Sequence, residues 1–80
     1  MALVVSLEKD EGRELRAAHP TRVPCKYIVG ECDGRKVLQL NTYGSGERAH
    51  PGKLSQTLQF DEDAASQLFR MLKSEFGFEE

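Results

Sequence analysis

The dipeptide Asp33-Gly34 stands between two β-prone runs, and this arrangement restricts the fold more than any other feature of the chain. Upstream, Val23, Cys25, Tyr27 and Val29 recur at every second position while Lys26 and Ile28 fall on the other side, which is the period of a strand over residues 22–31. Downstream, the run 35–43 divides the same way. Lys36, Leu38, Leu40 and Thr42 share one face, and Arg35, Val37, Gln39, Asn41 and Tyr43 share the other. Asp-Gly tolerates positive φ at both central turn positions, so the two runs are predicted to fold back on each other as a tight hairpin.

Three glycines and Pro51 within residues 44–52 predict a loop rather than a second tight turn. Alternation resumes over 53–60. Leu54, Leu58 and Phe60 point one way, with Gln56 as the exception, and Lys53, Ser55, Thr57 and Gln59 point the other. Asp61 then occupies a helix N-cap position, with Glu62 and Asp63 placing negative charge at the positive end of the helix dipole. The helix is predicted to run to about Phe76, with Gly77 as its stop. Its apolar stripe is Ala65, Leu68, Phe69, Leu72 and Phe76, flanked by Ala64 and Met71. So broad a stripe exceeds what one small sheet needs. It predicts a homodimer with Leu68, Met71, Leu72 and Phe76 at the interface, since a short chain gains missing core by association. At the other end, Leu3, Val4, Val5 and Leu7 read as an edge strand or an arm, while residues 12–18 suit a turn of helix or more strand until His19-Pro20 stops either.

Eighty residues, 30% of them charged and 39% hydrophobic, close one core and not two, so a single domain is expected over 1–80. The apolar run at positions 2–5 is far below the roughly 20 residues that span a bilayer and too short for a secretory h-region, so no membrane contact and a cytoplasmic location are expected. Cys25 and Cys32 are then free thiols, and seven positions apart on one strand they lie on opposite faces. With His19 and His50 they make a nominal Cys2His2 set without the close spacing that metal ligands use, so neither metal nor cofactor is expected. The loop fails the phosphate-loop template, because its glycines are one residue too far apart and Leu54 stands where a Ser or Thr would hold magnesium. Both histidines sit beside prolines in loops, where the positioning demanded of a general base is poor. No enzyme is expected.

Net charge is −2, unevenly placed. Residues 13–53 carry Arg13, Arg16, Arg22, Lys26, Arg35, Lys36, Arg48 and Lys53 against Glu14, Glu31, Asp33 and Glu47, and both ends are acidic. A positive middle is either an electrostatic footprint for phosphate or an ordinary surface of mixed charge. The polar strand faces extend the first reading. Gln39, Asn41 and Tyr43 beside Lys53, Ser55, Thr57 and Gln59 would form a platform ringed by Lys26, Arg35 and Arg48. Such a surface suits single-stranded nucleic acid: cations follow phosphates, Tyr43 stacks on a base and amides meet base edges. The outer face of an antiparallel sheet uses the same residue types.

The order of parts from Arg35 to Phe76, strand R-K-V-L-Q-L-N-T-Y, a loop ending in Pro51-Gly52-Lys53, strand L-S-Q-T-L-Q-F and an acid-capped helix, resembles the positive cofactor four group of transcriptional coactivators and its bacterial and phage relatives. The resemblance covers about half of the chain. It implies a curved antiparallel sheet of four strands followed by one helix, dimerisation through that helix, and contacts to single-stranded DNA from Tyr43, Arg48, Lys53 and Ser55 without strong sequence preference. The family usually has a Lys-Gly-Ile step entering its final strand, where this chain has Lys53-Leu54-Ser55, and its members tend to be more basic. The expectation is therefore an α+β domain with an arm or edge strand over 1–21, a four-stranded antiparallel sheet completed within 22–60 and a helix over 61–77. Its expected role is to bind single-stranded DNA or RNA as an accessory factor in transcription or DNA metabolism. The alternative is a module that docks on a larger protein through Leu68, Met71 and Phe78.

Overall fold

The computed structural model describes residues 1–44 and 54–79. In chain order these form β1 (Ala2–Val4), β2 (Cys25–Cys32), β3 (Arg35–Tyr43), β4 (Leu54–Asp61) and α1 (Glu62–Phe76). The fold is α+β, a four-stranded sheet followed by one C-terminal helix. The hairpin forms as its turn chemistry dictates. Asp33 and Gly34 have φ of 54° and 78°, and β2 and β3 pair antiparallel without a break from Cys32↔Arg35 to Cys25↔Thr42.

Antiparallel pairing continues between β3 and β4, with Leu38 opposite Phe60, Gln39 opposite Gln59, Leu40 opposite Leu58 and Asn41 opposite Thr57. Between Thr42↔Gln56 and Tyr43↔Leu54 the register shifts by one residue, so Ser55 has no opposite number and β4 bulges near its start.

The expected all-antiparallel sheet is corrected at its first strand. β1 pairs parallel with β4, in the register Ala2↔Leu58, Leu3↔Gln59 and Val4↔Phe60, and the sheet of order β1-β4-β3-β2 is mixed. The cause lies in the connection. β1 and β2 occupy opposite edges and point the same way, so residues 5–24 must cross the sheet and return to the starting end, as a parallel arrangement requires. They pass beside the helix, where the Leu7 amide donates to Gln67 Oε1 at 2.7 Å and Lys9 Nζ lies 3.9 Å from Glu75. Residues 12–18 take up neither helix nor strand.

Asp61 caps α1 as its position predicts, its Oδ1 accepting from the Ala64 amide at 2.8 Å, and Gly77 ends the helix in the left-handed region with its N–H on the Lys73 carbonyl at 3.0 Å. The helix lies against β3 and β4. Among the described residues the buried apolar side chains are Phe60 and Ala64, at the point where sheet passes into helix. On the apolar sheet face, burial falls from Phe60 through half-buried Leu38 and Leu40 to exposed Leu58, so the helix shields one end of that face. The predicted stripe is displaced. Ala64, Leu68, Met71 and Leu72 face inward, whereas Phe69 and Phe76 are exposed, because they sit about 140° round the helix from the Ala64–Met71 line.

Asp61→Ala removes the cap and leaves the Ala64 amide unpaired. It is expected to cost about 1 kcal/mol in urea unfolding, with Asp61→Asn losing much less. Equal stability of Asp61→Ala and the parent chain would contradict this account of the helix start.

Candidate nucleic-acid interface

Alternation along β3 and β4 sends the leucines to one face and the amides to the other, and the cross-strand register then sets matching amides opposite each other. Gln39 faces Gln59, and Asn41 faces Thr57. The four side chains form one hydrogen-bonded chain. Gln59 Nε2 donates to Gln39 Oε1 at 2.8 Å, Gln39 Nε2 donates to Asn41 Oδ1 at 3.1 Å, and Thr57 Oγ1 donates to the same Asn41 oxygen at 3.0 Å. Asn41 is the hub, and only 6% of its surface is exposed, while the other three are half-buried. A buried amide oxygen with two donors is satisfied, and the network holds its members in single rotamers.

β2 completes one end of this face. Lys26 lies opposite Asn41, and its Nζ stands 5.5 Å from the centroid of the half-buried Tyr43 ring, within cation–π range. A backbone bond from the Tyr43 amide to the Pro24 carbonyl, 3.3 Å, ties the same point to the strand's start. Arg35 shares the face by strand period but lies beside the turn, at the other end of β3, and is exposed. Ser55 is exposed at the bulge.

Of the residues singled out from sequence, Gln39, Asn41, Thr57 and Gln59 are brought into contact, Lys26 and Tyr43 meet beside them, and Arg35 and Ser55 stand apart. Arg48 and Lys53 lie outside the described residues. The helix positions Leu68, Met71 and Leu72 are half-buried, with Leu7, Glu8 and Lys9 bordering the same hollow as Met71, and Phe76 is exposed. Cys25 and Cys32 are both free and exposed on β2. No helix among the described residues is long and apolar enough to cross a membrane. Sequence reading assigned the amides to an open platform and did not find that they would bond to one another. The signal that was present is their shared parity, which makes contact between them a matter of register.

Asn41→Ala leaves the Gln39 and Thr57 donors without their acceptor and is expected to destabilise the chain by about 1–3 kcal/mol. Thr57→Val should cost less, and a double-mutant cycle between the two should show a coupling on the order of 1 kcal/mol in chemical denaturation. A coupling near zero would show that the hub does not act through Thr57. Comparison with family models, curated proteins and solved structures finds no match to this chain.

Proposed function

We propose that the amide face of the sheet binds single-stranded nucleic acid, DNA or RNA, with little sequence preference. The observation that carries this reading is the meeting of an aromatic ring and a cation, Tyr43 and Lys26, at the edge of a pre-ordered floor of Gln39, Asn41, Thr57 and Gln59. Tyr43 offers a stacking surface that suits any base, and Lys26 neutralises a phosphate beside it. The amides are already held by one another, so little side-chain freedom is lost when a strand lies on them, and their mutual bonding favours weak sequence discrimination. Arg35 extends the positive charge along the face. The likeness of the segment from Arg35 to Phe76 to the positive cofactor four group points the same way, and a second copy of the chain belongs to the reading.

A docking module for a larger protein is the second reading. It draws on the exposed aromatic group at the helix end, where the rings of Phe76 and Phe78 lie 5.2 Å apart, with Phe69 exposed two turns earlier.

Binding of fluorescent oligo-dT and oligo-U at low salt separates the two. Tyr43→Ala is expected to weaken affinity about tenfold, as the loss of one stacked base implies. Lys26→Glu with Arg35→Glu should weaken binding to every sequence alike and flatten its salt dependence by about 0.7 per lost phosphate contact in the log–log slope. If neither oligonucleotide binds at low salt, or if these changes leave affinity untouched, the nucleic-acid reading is wrong.

A further inference from the structure

β2 forms one edge of the sheet, and apart from the charges of Lys26 and Glu31 it has none of the devices that keep an edge from pairing. It runs through Cys25–Cys32 without a bulge against β3, without an internal proline, and with every residue exposed. At its centre, three consecutive apolar residues are open to solvent: Tyr27 at 72%, Ile28 at 56% and Val29 at 53%. A long, exposed edge strand with an apolar centre is a template for pairing with another strand.

The backbone shows which groups are available. The Tyr43 amide bonds to the Pro24 carbonyl, and in the register Cys25↔Thr42 this makes positions 24, 26, 28, 30 and 32 the ones that bond inward to β3. The N–H and C=O groups of Cys25, Tyr27, Val29 and Glu31 therefore point outward, and among the described residues nothing pairs with them.

We infer that this edge pairs with the β2 edge of a second copy, antiparallel about a two-fold axis through Ile28, to give one sheet of eight strands. The strand is self-complementary in that register. Cys25 lies opposite the second copy's Glu31, and Tyr27 opposite its Val29. Lys26 faces the small Gly30, and Ile28 meets its own counterpart at the axis. All four outward positions are used, for about eight hydrogen bonds, and no like charges stand opposite one another. Sliding the copies by one pair in either direction shortens the ladder to about six bonds, and it sets Tyr27 either against itself or against Glu31. A second copy suits the chain's size as well. It exposes 7198 Å², whereas a compact chain of 9.0 kDa exposes about 4,900 Å², and the difference exceeds the roughly 800 Å² per partner of a standard interface. The helix stripe is a poorer place for that copy, since Leu68, Met71 and Leu72 are already half-buried within their own chain.

The inference does not rest on nucleic-acid binding and is tested without it. At the axis, Ile28 forms a non-hydrogen-bonded pair, whose Cα atoms lie about 4.5 Å apart, a separation that a disulfide accepts. In the full chain carrying Cys25→Ser and Cys32→Ser, Ile28→Cys is expected to give a disulfide-linked dimer under mild oxidation. Lys26→Cys, displaced from the axis, should give none. Val29→Pro removes an outward N–H while sparing the β2–β3 bonds, and should sediment as a monomer at concentrations where the parent chain is a dimer. If Val29→Pro fails to fold, the cross-linking pair decides alone. A parent chain that stays monomeric overturns the inference. So does cross-linking at position 28 no greater than at 26, or a dimer that survives in a folded Val29→Pro chain.

Discussion

The structure depends on β3 being bonded along both sides. β2 and β4 pair with it in registers that keep alternation in phase across three strands, so Leu38 and Leu40 line up with Phe60 and Leu58 on one face while Gln39 and Asn41 line up with Gln59 and Thr57 on the other. A slip of one residue on either side would turn leucines out among amides. The Asp33-Gly34 turn sets one of these registers locally. The other is stabilised by what it brings together, namely the Phe60 packing on the apolar side and the Asn41 hub on the polar side.

The two faces meet different physical demands. The apolar face has one helix to cover it, and that helix begins immediately after β4, so it shields the Phe60 end and leaves Leu58 and Tyr27 open. The polar face compensates for its partial burial internally, each amide meeting a neighbour's donor or acceptor, which explains how Asn41 can be nearly inaccessible without an unpaired oxygen. That same bonding makes the face a stiff floor. At its rim stand Tyr43 and Lys26, next to the bulge that skips Ser55.

Surface and core are badly matched in a chain this short. Aromatic and branched side chains stay exposed along β2 and at the end of α1, and the strand at one edge of the sheet leaves a row of backbone groups pointing outward. The exposed apolar side chains and outward backbone groups thus lie along the edge strand, whereas the hydrogen-bonded amides lie on one face of β3 and β4.

Local chemistry was enough for the hairpin, the β3 strand, the Asp61 cap, the helix and its Gly77 stop, because each depends on φ preferences, period and capping within a few residues. The shared face of Gln39, Asn41, Thr57 and Gln59 also followed from parity alone. Tertiary structure decided the rest. Parallel pairing of β1 with β4 depends on a connection that carries no periodic signal, and the centre of the helix stripe depends on where the sheet lies beneath it, which moved Phe69 and Phe76 to the surface. Whether four polar side chains face water or one another depends on a register set by partners up to twenty residues away, since period assigns a side chain to a face but only contact across strands gives it a partner.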